Sequence, residues 1–267
     1  MRRATRVIFV LCLVSIALGA APCAGREPAT PAARNFFFVL DNSATMGLEK
    51  NADGVSHLRA ARTLMLRMNE RMPELGYNVG LALTSPFEVY SPLGRYDRFS
   101  FGYDVRSVYV DWRHHGQDGF TVGTTLPLFW TFGGWRADLG DALLDLEPVL
   151  SRARGRTVVV LLTAGCNRQG VDPVRSAKAL YDRRPDMRLH VVSYASTDGD
   201  ADTLAEVAGL EPTSVLVRAE DLDSREQLGE FLEVVLFGDL PPGPGRLYEK
   251  MVLPESAEAG PARGGAE

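Results

Sequence analysis

The chain has little cysteine, no excess of basic charge and no apolar run long enough to span a bilayer. Its three cysteines stand at 12, 23 and 166. The first two lie in or just behind an amino-terminal apolar run, leaving Cys166 alone in the folded part. No internal disulfide framework can form from one thiol. No Cys–His set with metal-ligand spacing surrounds it, so it reads as a small buried hydrophobe. Against 34 acidic residues stand 29 basic ones, a net charge of −5. That balance argues against a nucleic-acid surface. A Gly-rich phosphate loop, a nucleophile elbow and a zinc-protease helix are all missing, which removes three common catalytic plans.

What is present is globular: 45% apolar and 24% charged residues, with 26 Gly and 16 Pro, exclude wholesale disorder and a coiled-coil rod. The mostly apolar run at 7–18 follows Arg2, Arg3 and Arg6 and ends in small residues. It falls short of the roughly 20 residues a membrane span needs and reads as an export signal covering 1–25. Cys23 follows Pro22, a poor context for lipid attachment, so the expected product is periplasmic or secreted, with no transmembrane segment. A Pro/Ala-rich linker at 26–34 precedes a domain at 35–238, and a Pro/Gly/Ala-rich tail at 239–267 is expected to be disordered.

Within the domain, Phe36, Phe37, Phe38, Val39 and Leu40 form a continuous apolar run, the mark of a strand buried on both faces. It stops at a polar loop, 41–47. Leu58, Ala61, Met65, Met68 and Met72 repeat at helical spacing behind Ser56, so the methionines belong to a core. Further strands are predicted at 77–84, 157–162, 187–194 and 213–217. Helices are predicted from near Asp138, from Asp172-Pro173, over 202–208, and after a capping box at Ser224 and Gln227. Buried strands alternating with amphipathic helices make an α/β fold with a doubly wound, mainly parallel sheet. Ligands bind such sheets at the carboxyl ends of the strands. The loops at 41–47 and 163–170 stand there.

Asp41, Ser43 and Thr45 form an Asp-x-Ser-x-Thr pattern that can turn one carboxylate and two hydroxyls toward one centre. Such hard oxygens suit Mg²⁺ or Mn²⁺. With its position after strand 36–40, this loop resembles the opening strand and metal-adhesion loop of the von Willebrand factor type A domain. Asp138-Leu139-Gly140-Asp141-Ala142-Leu143 is similar to that family's middle helix, and 158–165 to its fourth strand. The resemblance covers about 35–238 and implies a non-enzymatic adhesion or scaffold module of the bacterial cell envelope or exterior. It implies metal-site roles for Asp41, Ser43 and Thr45. Two positions depart from the family: Arg136-Ala137 stands where a Thr is usual, and Ala164 where an Asp is usual. The metal site is therefore degenerate. Asp138 or Asp141 supplies the missing carboxylate; or no metal binds and a cation such as Arg136 faces Asp41; or Asp41, Ser43 and Thr45 form only a capping turn.

The stretch 86–135 diverges from the family and holds all three tryptophans and more than half of the aromatic residues. Few helical periods appear in it, so short strands and loops are expected. Its rings, interleaved with arginine, either form a satellite core under an edge hairpin or an interface for a protein partner. Trp112, Trp130, Trp135 and Arg136 are the candidate partner-binding residues, with an acidic partner side chain completing any metal site. The alternatives are a metal-free structural component of an envelope complex and, least favoured, an aspartate-dependent phosphotransferase or hydrolase. The last wants a second acid two residues after Asp41, where Ser43 stands.

Overall fold

A computed structural model describes residues 31, 33–85, 87–108 and 138–238. Its elements in chain order are β1 (Asn35–Leu40), α1 (Ala44–Leu48), α2 (His57–Arg71), β2 (Asn78–Thr84), β3 (Phe87–Arg95) and α3 (Arg98–Ser107). There follow α4 (Leu139–Asp145), α5 (Glu147–Leu150), β4 (Thr157–Thr163), α6 (Pro173–Arg183), β5 (Met187–Ser193), α7 (Asp198–Gly209), β6 (Leu216–Arg218) and α8 (Arg225–Phe237). The six strands form one sheet in the order β3-β2-β1-β4-β5-β6. Only the β2–β3 pairing is antiparallel. The expected doubly wound sheet is therefore the fold.

Every residue of β1 and β4 is buried. Period-two alternation divides those residues between two cores, one on each face. Phe36, Phe38 and Leu40 pack with Met65 and Met68 of α2 and Phe231 of α8. Phe37 and Val39 pack on the other face with Leu143 of α4, Leu180 of α6 and Val207 of α7. The methionine stripe is core, as its spacing indicates. Cys166 is a buried free thiol.

Helix starts are set by short polar side chains that accept otherwise orphaned N–H groups. Ser56 Oγ accepts the Arg59 N–H at 3.4 Å, Asp172 that of Arg175 at 2.9 Å, and Ser224 that of Gln227 at 3.0 Å. Gly140 sits where α4 meets the chain ahead of α6. A Cβ there would collide with the Val171 carbonyl.

Four local expectations need correction. The loop after β1 winds into the short helix α1, and α7 begins earlier than expected because Thr197 caps it, accepting the Asp200 N–H at 3.2 Å. The last strand is displaced to Leu216–Arg218. In the aromatic stretch, 98–107 is helix rather than strand and loop. Asp97 accepts the Phe99 N–H at 3.1 Å to start α3, while Phe101 and Val105, four apart, are its buried positions. Phe99 and Tyr103 remain exposed, which blurs the periodicity. Tyr96 and Phe101 belong to the main core, Tyr96 stacked on Tyr77 and edge-on to Phe101, which is tilted against Phe38, so they form no satellite. The segments 1–25 and 239–267 lie outside the described residues.

Candidate functional site

The strand order reverses between β1 and β4, so the carboxyl ends of these two strands flank the crevice where doubly wound sheets hold ligands. Asp41 leaves β1 at this point. Its backbone N–H still bonds the Leu162 carbonyl of β4 at 2.9 Å, and the residue is 2% exposed. A carboxylate this deep needs donors. Oδ1 accepts the Ser43 N–H at 2.9 Å and the Thr84 hydroxyl at 3.2 Å. Oδ2 accepts the Thr163 hydroxyl at 2.6 Å, and Thr163 Oγ1 itself accepts the Gly165 N–H at 3.0 Å. One carboxylate thereby ties together the ends of β1, β2 and β4.

The network continues outward. Ser85 Oγ lies 3.4 Å from Thr84 Oγ1 and donates to Asp138 Oδ1 at 3.1 Å. Asn42 pairs with the Ser85 backbone in both directions, accepting its N–H at 2.7 Å and donating to its carbonyl at 3.0 Å. Asn167 Oδ1 accepts the Gly140 N–H at 3.2 Å, and Asp141 Oδ1 accepts the Val171 N–H at 3.0 Å, which fixes the β4–α6 loop on the start of α4. The end of the sheet is a braced platform.

Asp41 and Asp138 are thus linked through Thr84 and Ser85. Ser43 is buried and its Oγ has no hydrogen-bond partner. Thr45 stands half-buried in the first turn of α1, where its carbonyl accepts the Glu49 N–H at 3.0 Å. Asp141 is spent on the Val171 backbone. Ala164 is 1% exposed, its methyl part of the apolar core. Among the described residues, no three His, Cys, Asp or Glu side chains come together as a metal group. Arg136, Ala137, Trp135, Trp130 and Trp112 lie outside the described residues.

Thr84, Ser85, Thr163 and Asn42 were not singled out from the sequence, although they carry most of the network. A signal was available: a hydroxyl residue ends each of two apolar strands, Thr84 (with Ser85 after it) in β2 and Thr163 in β4. What the sequence could not supply was the partner of each.

Beside this platform, a cleft of about 760 Å³ runs between the start of α2 and the loops after β5 and β6. Glu49, His57, Arg67, Tyr194, Ser196 and Arg218 are among its walls. Ser196 Oγ donates to Glu49 Oε2 at 2.6 Å, and that oxygen lies 4.0 Å from His57 Nδ1. Burial lowers the His57 pKa below the ordinary imidazole value, outweighing the opposing pull of Glu49. Arg67 is engaged with the Leu222 and Asp223 carbonyls at 3.0 and 2.7 Å.

No protein-family profile and no curated protein sequence matches this chain. Solved structures do. An aerotolerance-related membrane protein from Bacteroides fragilis is 15% identical over 75% of this chain and 96% of its own, with a TM-score of 0.51. Proximal thread matrix protein 1 from the mussel byssus is 12% identical over 78% of this chain, with a TM-score of 0.51. This chain covers 48% of the mussel protein. A second structure of that protein, with a TM-score of 0.50, has a zinc-occupied MIDAS motif. At these identities the likeness is one of fold.

Proposed function

We propose that this chain, whose fold is that of the von Willebrand factor type A domain, is a non-enzymatic protein-binding module of adhesion or scaffold type. It acts in the cell envelope or outside the cell and engages its partner through the rim at the carboxyl end of the sheet. The observation that carries this reading is the braced platform: one buried carboxylate joins three strand ends, so the loops above it are presented on a rigid base. Catalysis is disfavoured because Ser43 stands where a phosphotransferase would place its second acid.

Binding is taken to be independent of a tightly held cation. Both oxygens of Asp41 are engaged by three protein donors, and Ala164 offers a methyl group where the family brings a second negative ligand. Fewer charged ligands mean weaker hold on a divalent ion. One observation favours a second reading: the buried Ser43 hydroxyl lacks a partner. A weakly held Mg²⁺ or Mn²⁺ taking Asp41, Ser43, Thr45 and Asp138 would use it.

Site-specific photocrosslinking in producing cells tests the module. Crosslinkers at Leu48 and Asp198 on the rim should trap a discrete protein adduct, with or without chelator, and one at Leu210 on the opposite end should not. Adducts confined to Leu210, or absent from every position, would overturn the reading. Loss of the rim adduct with chelator, with saturable heat on Mg²⁺ or Mn²⁺ titration, would establish the second reading.

A further inference from the structure

The pole opposite the rim is basic, although the chain as a whole is acidic. Asn35, Asn78, Thr157 and Met187 begin the parallel strands in register, and Arg95 ends β3 opposite Asn78, so all five mark one end of the sheet. Arg34, Arg152, Arg154 and Arg156 crowd the same end. The run Arg152-Ala153-Arg154-Gly155-Arg156 is a tight turn into β4, made possible by φ of 87° at Gly155. Hydrogen bonds to its carbonyls pin this turn: the Arg34 N–H donates to the Arg156 carbonyl at 3.0 Å, and Asn35 Nδ2 donates to the Arg154 carbonyl at 3.1 Å.

Arg34, Arg95, Arg152 and Arg154 are exposed and make no ion pair among the described residues. Two of the acids nearby are occupied: Asp186 pairs with Arg184 at 3.0 Å and Glu147 with Arg183 at 3.6 Å. Arg34, Arg152 and Arg154 also wall a cleft of about 600 Å³, shared with Asn35, Asn78 and Leu93. A concave patch of unpaired guanidinium groups matches phosphate oxygens in charge and in hydrogen-bonding geometry. Helix α8 ends at this pole too, with Gly238 beside Arg188.

We propose that the basic pole is a docking face for an anionic phospholipid bilayer. The phosphates of the headgroups meet the arginine turn, and the rim with its partner-binding loops is turned away from the membrane. This goes beyond the rim's proposed role and uses none of its residues, so either can fail without the other.

Co-sedimentation of the protein, purified as the exported form, with phosphatidylcholine vesicles and with mixed phosphatidylcholine/phosphatidylglycerol vesicles tests the face. Binding to the anionic vesicles alone is expected, falling away at high salt as screening shortens to a few ångströms. Each arginine near an anionic surface contributes about fivefold in partition, so replacing Arg34, Arg152 and Arg154 with Ala should weaken binding roughly a hundredfold. Lysine at all three positions should largely restore it and covers the case in which the Ala variant misfolds. Ala at Arg175, Arg218 and Arg225, on the rim side, should change little. Three results would overturn the proposal: equal binding to neutral vesicles, equal loss in the rim-side variant, or no vesicle binding. The last, with heat on titration of inorganic phosphate, would mark a small-anion site instead.

Discussion

Replacing Asp41 with Ala separates a structural latch from a ligand site. The substitution removes the acceptor of three hydrogen bonds, from Ser43 N–H, Thr84 Oγ1 and Thr163 Oγ1, at a residue 2% exposed. A hydrogen bond to a charged group contributes about 1.5–3 kcal/mol, and a buried donor left without an acceptor costs about 1–3 kcal/mol. These losses are not additive. The Thr84 hydroxyl can turn toward Ser85 Oγ, 3.4 Å away, and losing the carboxylate also removes its own desolvation cost. The Ser43 N–H and Thr163 hydroxyl have no such exit, so a net loss of about 3 kcal/mol is expected. For a domain of this size that lowers Tm by roughly 6–12 °C. In urea, followed by far-UV circular dichroism, the midpoint should drop by about 1–1.5 M with m unchanged. Asp41→Asn keeps an acceptor for Ser43 and Thr84 and should lose only about 1 kcal/mol. Chelator should alter none of these values. If Asp41→Ala were within about 1 kcal/mol of the parent, or more stable, the latch argument would be wrong. Asp41 would then be a charge kept for a ligand rather than for the fold.

Two further outcomes follow from the same geometry. Ala164→Asp introduces the second carboxylate that the resemblance implies for this position. Buried beside the Asp41 network, it should destabilise the metal-free protein by about 2 kcal/mol or more and create a Tm that rises with Mn²⁺ or Mg²⁺; an unchanged, cation-blind Tm would refute the placement of that position. His190 gives a pH signature. Its Nδ1 accepts the Val215 N–H at 3.2 Å, and complete burial, with Arg188 adding to it, pushes its pKa down to about 3. Because the folded value is lowered, the unfolded chain takes up the proton first. Stability should therefore be full above pH 6.5 and fall as pH drops toward about 3, by about 2 kcal/mol at pH 5. Urea midpoints at pH 7 and pH 5 measure this, and a His190→Gln variant with the same acid loss would refute the assignment.

Much of the architecture was legible before any coordinates. Continuous apolar runs such as 36–40 and 157–162 can only be strands covered on both faces. The methionine spacing in α2 and the Asp172-Pro173 and Ser224 starts identify helices that do the covering. The Asp-x-Ser-x-Thr loop was legible as a polar turn at the carboxyl end of β1, where the structure has it. Helix α3 was missed because it buries only Phe101, Gly102 and Val105 while Phe99 and Tyr103 face solvent, so hydrophobic periodicity carried no clean signal.

The site divides along a similar line. Sequence alone determined that Asp41 follows the apolar run of β1 and that Ser43 and Thr45 come two and four residues after it. Only the tertiary structure decided what Asp41 does. Its donors Thr84 and Thr163 come from strands 43 and 122 residues away in the chain, and parallel pairing in a fixed register brings their ends together. The basic pole has the same origin: Arg34, Arg95 and Arg154 are scattered in the chain and come to one end of the sheet because β1, β2 and β4 begin there in register and the antiparallel β3 ends there. Local pattern sets which segments are buried, whereas hydrogen-bond partners and charge patches depend on which strand ends meet.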